Sequence, residues 1–156
     1  MNEESLSNQE LARSLLAASG AATLATLAAD GSPFASYVVT APGADSAPLM
    51  LLSRLARHTN NLDRDPRASL LFVRAPPAGG ESMTALRLTV TGRCLRVADA
   101  ESRALYLARY PEASRYAGFS DFSIFQFRIE AGHLVAGFGR IVSLTRDELL
   151  PPPRAA

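Results

Sequence analysis

The segment Leu52–Asn61 carries the densest set of side chains that could bind a ligand. Within eight positions it brings together hydroxyl, guanidinium, imidazole and amide groups: Ser53, Arg54, Arg57, His58, Thr59 and Asn60. An apolar strand is predicted to pass into a short helix here, and a helix start offers unpaired backbone N–H groups and a positive dipole end. Arginine also pairs with phosphate oxygens. The pattern predicts an anchor for a phosphate monoester, and a solvated helix face with incidental arginines is the alternative.

Four other places carry reactive or charged side chains. Arg87 lies on the polar face of an otherwise apolar strand, as a surface arginine or as a charge that faces a ligand or a partner subunit. His133 follows a turn glycine and is expected to face solvent. Cys94 falls in a strand and is expected in the core. The run Gly137–Arg140 is predicted to form a bulge at a barrel corner.

The composition excludes several classes of protein. All 16 basic residues are arginine, so a pyridoxal-phosphate aldimine, a Schiff-base aldolase and a Walker P-loop lack their lysine. Two histidines are too few for a multi-histidine zinc site, and no metal site is expected. The net charge of +1 gives no sign of nucleic-acid binding. The G-x-S-x-G and G-x-G-x-x-G motifs are absent.

The length of 156 residues predicts one domain, 1–156, with a core at about 11–144. The N-terminus has no signal-peptide pattern, and no stretch approaches the ~18 apolar residues that span a membrane. A single cysteine forbids an intrachain disulfide. We therefore expect a cytoplasmic protein that does not enter the membrane.

Hydrophobic periodicity and turn residues divide the chain into short strands and a few helices. Capping signals predict helices at Ser7–Ser19 and Ala100–Arg109, and a further capping box at Thr145–Glu148. The spacing of Leu55, Thr59 and Leu62 predicts a short helix at Leu55–Arg64. Strands are predicted at Ala21–Ala29, Phe34–Thr40, Pro48–Ser53, Ala68–Val73, Thr84–Val97, Phe122–Ile129 and Leu134–Leu144. Asp30-Gly31 indicates a hairpin, Gly92 a bulge, and Glu130–His133 a turn. Six to seven antiparallel strands with two to three flanking helices indicate a mostly β (α+β) barrel.

A resemblance emerges once these segments are read together. The stretch Leu49–Phe72 resembles the pyridoxamine-5′-phosphate-oxidase-like FMN-binding split barrels. The fuller pattern is similar to their haem-utilisation branch. It covers about Leu11–Leu144 through motifs that occur in the same order: Leu52–Thr59, Arg87–Gly92, Tyr110–Ala113, Tyr116–Phe122 and Leu134–Arg140.

The resemblance implies a split β-barrel that forms a homodimer, with two FMN molecules at the subunit interface. Arg57 and His58 match the Arg-Lys pair with which the oxidases hold the FMN phosphate. Arg87 matches a glutamine that contacts flavin from the second subunit. Thr59 is also predicted to bind the cofactor, through a hydroxyl that can contact the phosphate. The remaining cofactor-binding positions lie on two strands, one that passes the flavin ring and one beside the ribityl chain: Ser36, Tyr37, Val38 and Val39, and Leu52 and Ser53.

The resemblance leaves three functional hypotheses open. The leading one is an FMN-dependent oxidoreductase acting on an unknown small molecule, with the chemistry carried by the flavin. The second is a haem-binding or haem-utilisation protein, with His58 or His133 as the axial ligand. The third is a flavin-free binding barrel, since the oxidases carry an arginine at Ser36 and a lysine at Ala41. No catalytic side chain is identified.

Overall fold

The structure is a computed structural model, and it describes residues 5–18, 20–137 and 139–150. These residues form seven strands: β1 Gly20–Leu27, β2 Pro33–Pro42, β3 Pro48–Ser53, β4 Arg67–Arg74, β5 Leu86–Val97, β6 Phe122–Val135 and β7 Ile141–Thr145. Five helices accompany them: α1 Asn8–Ala18, α2 Arg57–Arg64, α3 Ala100–Arg109, α4 Ser114–Ala117 and α5 Arg146–Leu149. Single 3-10 turns occur at Ser82–Thr84 and Pro111–Ala113.

The strands form one antiparallel sheet in the order β3-β2-β1-β4-β5-β6-β7. β3 also pairs with β6, from Leu49 opposite Gln126 to Ser53 opposite Phe122, and this pairing closes the first six strands into a barrel. β7 adds to the outer edge of β6. The predicted mostly β barrel is confirmed, and its closure leaves few free strand edges.

Local signals in the sequence place the hairpin and the helix starts. Asp30-Gly31 turns β1 into β2, with Gly31 at φ +81. The Asp99 carboxylate accepts a hydrogen bond from the Ser102 N–H at 2.7 Å, and α3 has the bounds expected from the sequence. The expected end of α1, Ser19, lies outside the described residues. Reciprocal hydrogen bonds of capping boxes begin α1 and α5: Ser7 with Glu10, and Thr145 with Glu148.

The predicted turn at Glu130–His133 is wrong, because β6 continues to Val135. A bulge stands in its place, with Glu130 as the extra residue opposite the junction of Thr91 and Gly92. A Cβ at Gly92 would overlap the carbonyl oxygen of Arg128, so only glycine fits there. Gly92 therefore marks a bulge, as predicted, although the added residue is on the partner strand.

The predicted last strand, Leu134–Leu144, divides into the end of β6 and the separate β7. The two are joined by a hairpin in which the Ala136 N–H donates to the Arg140 carbonyl at 2.9 Å. Gly137 and Gly139 adopt φ of +71 and +79. The predicted corner is thus a hairpin turn, and Phe138 within it lies outside the described residues.

Two apolar clusters hold the molecule together. The larger fills the barrel and includes Leu24, Leu88 and Phe127, all with no exposed surface. The smaller packs α3 and the 3-10 turn after it against the outside of β2, β3 and β6. The candidate site lies along this second contact. None of the described helices is long and apolar enough to cross a membrane.

Candidate functional site

A cavity of about 460 Å³ lies between the outer side of β2 and β3, the start of α2, and the segment from α3 to α4. We call it the aromatic cavity, because all four tyrosines of the chain line it with Phe122. The complete lining is Tyr37, Val38, Val39, Leu51, Leu52, Ser53, Ala56, His58, Tyr106, Tyr110, Glu112, Tyr116 and Phe122. Its size and its mostly apolar wall suit a flat organic ligand.

Hydrogen bonds to the backbone of β2 fix two of the tyrosines. The Tyr110 hydroxyl donates to the Thr40 carbonyl at 2.8 Å, and the Tyr106 hydroxyl donates to the Val39 carbonyl at 3.5 Å. Their rings meet at 5.3 Å between centroids. Burial raises the pKa of both phenols, so they remain protonated at neutral pH. These two phenols are therefore uncharged, and their hydroxyls are held by the backbone of β2.

His58, the second residue of α2, is half-buried in the opposite wall. Its Nδ1 lies 3.1 Å from the Ser36 hydroxyl oxygen, and that hydroxyl lies 3.4 Å from the Leu24 carbonyl. A hydroxyl that donates to Leu24 accepts from Nδ1–H, and this tautomer leaves the lone pair on Nε2. Burial lowers the pKa of His58, so the imidazole is neutral at neutral pH.

Asp121 fixes the turn that leads from β3 into α2. Its carboxylate accepts a hydrogen bond from the Ser53 hydroxyl at 2.9 Å, and its carbonyl accepts one from the Arg54 N–H at 2.7 Å. The Leu55 N–H in turn donates to the Ser53 hydroxyl oxygen at 3.1 Å. The helix therefore begins at Arg57, two residues later than expected.

The aromatic cavity contains no arginine in its wall, and its one carboxylate is that of Glu112. Arg57 instead lies on the other side of the helix start, with its guanidinium 4.7 Å from the centroid of the Phe34 ring. There it lines a second, polar cavity of about 570 Å³, which we call the arginine cavity. The complete lining of the arginine cavity is Ala28, Ala29, Asp30, Leu55, Arg57, Asn60, Asn61 and Arg64.

The structure brings most of the predicted cofactor-binding residues to these two cavities. Ser36 lies behind the wall and holds His58, while Arg57 lines the arginine cavity. The residues of the set that line the aromatic cavity are Tyr37, Val38, Val39, Leu52, Ser53 and His58.

Two predicted residues lie elsewhere. Thr59 is fully buried, and its Oγ1 has no hydrogen-bond partner among the described residues. Arg87 lies on the outer face of β5, where its Nη1 donates to the carbonyls of Met83 and Ala85 at 3.2 Å. Neither side chain lines the aromatic cavity of its own chain.

The wall formed by α3 and the residues after it was not predicted from residue types or spacing. That wall supplies Tyr106, Tyr110, Glu112, Tyr116 and Phe122. Tyr106 on α3 is buried, yet one edge of it reaches the cavity. In the sequence, the motifs Tyr110–Ala113 and Tyr116–Phe122 indicated this wall only through the family resemblance.

Three similar proteins have names that refer to haem. The chain is 35% identical over 111 residues to the non-canonical heme oxygenase HOZ of Arabidopsis thaliana, covering 69% of this chain and 33% of HOZ. It is 27% identical over 133 residues to the heme oxygenase HutZ of Vibrio cholerae, covering 81% and 75%. A solved heme-binding protein from Mycobacterium smegmatis matches with a TM-score of 0.84 at 35% identity, over 92% of this chain and 60% of that one.

The chain thus spans about a third of the length of HOZ and most of that of HutZ. The names of these relatives agree with the haem-utilisation branch that the motifs indicated. The family model for pyridoxamine 5′-phosphate oxidase matches residues 9–136. The chain therefore belongs to the pyridoxamine 5′-phosphate oxidase family, as its motifs predicted.

Proposed function

We propose that this barrel is a haem-binding domain in which the aromatic cavity holds the porphyrin and the His58 imidazole ligates the iron. The observation that carries the proposal is the state of His58. Its Nδ1 is held by Ser36, its imidazole is neutral, and Nε2 has no hydrogen-bond partner among the described residues. A histidine ligand needs this arrangement, with one nitrogen oriented by a neighbour and the other free for the metal.

The walls of the aromatic cavity suit the rest of the haem. A porphyrin is a flat, largely apolar ring system, and tyrosine and phenylalanine rings offer it broad contact surfaces. The rings of Tyr116 and Phe122 already contact each other at 5.1 Å between centroids, with a tilt of 49°. Bound haem would supply iron-centred redox chemistry. The chain itself would bind and orient the group and keep part of it from water. The names of the relatives point the same way.

FMN, the leading expectation from the sequence, fits this cavity less well. Its phosphate needs cationic or N–H partners, and the wall holds no arginine. The Ser53 hydroxyl already donates to the Asp121 carboxylate, whose charge repels a phosphate. An FMN-dependent oxidoreductase is therefore the second candidate. Arg57 favours it, since its guanidinium has no ion pair or side-chain hydrogen bond among the described residues and lies beside the helix start.

A haem titration followed by absorption spectroscopy tests the proposal. We expect a Soret band for the wild-type protein and for His133→Ala, since His133 is exposed on β6 and outside the cavity wall. His58→Ala should weaken haem binding by more than the roughly ten- to hundredfold typical of losing a group that only orients a metal ligand.

Other results of the titration would decide against the proposal. A His58→Ala variant with an unchanged Soret band and affinity would overturn the assignment of the ligand. A wild-type protein that binds FMN, with flavin absorption bands, and shows no Soret band would favour the second candidate.

The homodimer expected from the resemblance also stays a proposal, supported by the outer face of the sheet. Val73, Arg87, Val135 and Ile141 form one row across β4 to β7, and Val73 and Ile141 are 54% and 62% exposed. The next row contains no arginine and no carboxylate: Leu71, Thr89, His133 and Ser143.

A second copy of this chain would cover this apolar face. Arg87 would then be the charged group facing the partner subunit. Light scattering should give a mass close to twice the chain mass of 16.6 kDa. A mass of one chain, at concentrations that bind haem fully, would contradict the dimer.

A further inference from the structure

The wall of the aromatic cavity carries a negative charge that the proposed haem ligation does not use. Glu112 is the only formally charged residue of the lining, because the lining contains no arginine and the His58 imidazole is neutral. The Glu112 carboxylate has no ion pair or side-chain hydrogen bond among the described residues. A second carboxylate, that of Asp121, lies behind the wall, 2.9 Å from the Ser53 hydroxyl. The cavity therefore attracts positive charge and repels negative charge.

Few hydrogen-bond donors of the wall are free to bind an anion. The Tyr106 and Tyr110 hydroxyls donate to backbone carbonyls of β2, and the Ser53 hydroxyl donates to the carboxylate behind it. Arg109 lies 5.7 Å from the centroid of the Tyr110 ring, but it does not line the cavity. Its Nη2 donates to the last carbonyl of α1 at 3.3 Å. An anionic ligand would therefore bind here without a charged partner in the lining.

The aromatic rings of the wall offer the opposite kind of contact. The face of a tyrosine or phenylalanine ring is electron-rich and attracts a cation placed over it. Tyr37 and Tyr116 are 73% and 37% exposed, so a ligand can reach their rings, and Phe122 contacts Tyr116 in the same wall. Elsewhere in the chain such a contact is already formed, with Arg96 over Phe125 at 4.8 Å. No cation from the described residues lies over the three rings of the wall.

Glu112 lies close enough to the rings to add to this attraction. It belongs to the 3-10 turn that follows α3. Burial is the main cause of the raised pKa of Tyr106 and of Tyr110, and the Glu112 carboxylate raises the pKa of both further. Arg109 acts in the opposite direction, on Tyr110. Ring faces beside a carboxylate attract a cation through two separate electrostatic contacts.

We propose that the aromatic cavity binds flat aromatic cations, with the rings of Tyr37 and Tyr116 against the ligand's ring system and the Glu112 carboxylate near its positive charge. The apolar walls select a flat body, and the charge selects the cation over a neutral or anionic molecule of the same shape. This is a second class of ligand, and its binding does not require that the cavity also binds haem. The two ligands would compete for the same space.

The test compares two molecules of one shape and different charge. N-methylacridinium is a permanent cation, and acridine has the same fused ring system but is uncharged at neutral pH. Equilibrium dialysis against the haem-free, full-length protein gives both affinities. We expect the wild type to bind the cation about tenfold more tightly than acridine, within the range of a desolvated cation–π contact.

Two variants locate the contact. Glu112→Gln removes the charge and keeps the shape, so it should weaken binding of the cation about fivefold and leave acridine within about twofold, as for an exposed ion pair. Tyr116→Leu removes a ring face, so it should weaken binding of the cation about threefold more than binding of acridine. Added salt should reduce the preference for the cation in the wild type more than in Glu112→Gln, because salt screens the carboxylate.

Glu101→Gln and Phe119→Leu are the matched controls. Glu101 is exposed on α3, Phe119 is exposed between α4 and β6, and neither residue lines the cavity. The first control removes the same charge from the protein, and the second removes an aromatic ring from the same segment as Tyr116. Both should keep the wild-type preference for the cation. Thermal unfolding of all four variants checks that the fold is intact.

The possible outcomes separate this site from the haem proposal. Equal affinity of the wild type for the cation and acridine, or binding of neither, overturns the cation site. A preference that Glu112→Gln and Tyr116→Leu leave unchanged, or that the controls lower equally, also overturns it. Haem binding is decided independently by the Soret band. A protein that prefers the cation but gives no Soret band keeps the cation site alone, and the reverse result keeps haem binding alone.

Discussion

The barrel interior and the aromatic cavity share strands β2 and β3, but the side chains that fill the interior and those that line the cavity differ in polarity. The interior is packed with aliphatic residues and phenylalanines, and Cys94 is the one ionisable group in its buried cluster. Burial raises the pKa of that thiol to about 12, so it is also uncharged. The cavity wall holds every tyrosine of the chain, with His58 and Glu112.

The two regions also differ in how their residues are brought together. Each interior residue is placed by the alternation of its own strand, as in β5, where every second side chain is buried from Leu86 to Val90. The cavity wall takes its residues from β2, β3, α2 and the segment from α3 to β6. A substitution in the interior is therefore expected to lower mainly the free energy of unfolding. The shape of the cavity depends instead on how separate elements pack together.

The largest effect is expected from Phe127→Ala in the barrel interior. Phe127 has no exposed surface, and removing such a ring leaves a cavity that costs about 3–5 kcal/mol of unfolding free energy. Urea denaturation measures this loss. Haem affinity of the folded protein should stay within about twofold, because the residue lies on the other side of the barrel wall. If Phe127→Ala weakened haem binding by as much free energy as it lowers the stability, the interior and the aromatic cavity would not be independent of each other.

The same difference explains which parts of the molecule the sequence predicts well. Alternating strands, the Asp30-Gly31 hairpin and the caps at Asp99 and Thr145 depend on neighbouring residues, and all occur as expected. The cluster that contains Arg57 and His58 was also predicted from local residue types and spacing. The sequence could not show that they face different cavities, because the turn held by Asp121 decides where α2 begins.

Long-range contacts account for the errors. Gly132 suggested a turn, yet it is an extended residue of β6 where a Cβ would lie 2.7 Å from the Leu149 Cδ1. A side chain at this position would displace Leu149 of α5, a contact that local sequence does not reveal. The tyrosine wall likewise depends on α3 docking on β2, far away in sequence, through the hydroxyls of Tyr106 and Tyr110.

A smaller effect, confined to the cavity, is expected from Ser36→Ala. The Ser36 hydroxyl holds Nδ1 of His58 at 3.1 Å, so its removal should free the imidazole to rotate. Loss of a group that orients a metal ligand commonly costs roughly ten- to hundredfold in affinity, or about 1.4–2.8 kcal/mol. The unfolding free energy should change by no more than the ~1 kcal/mol of one hydrogen bond. Haem titration and urea denaturation of the same sample give both quantities.

Ser36→Thr is the control that separates orientation from packing. Threonine keeps the hydroxyl and suits a strand, so it should restore both the affinity and the Soret position that alanine alters. If Ser36→Ala lowers stability and haem affinity in proportion and threonine restores neither, Ser36 belongs to the packing of the barrel wall. If alanine changes the spectrum while the protein unfolds at an unchanged urea concentration, the hydroxyl acts through His58. The cavity then depends on a single oriented atom, whereas the interior depends on filled volume.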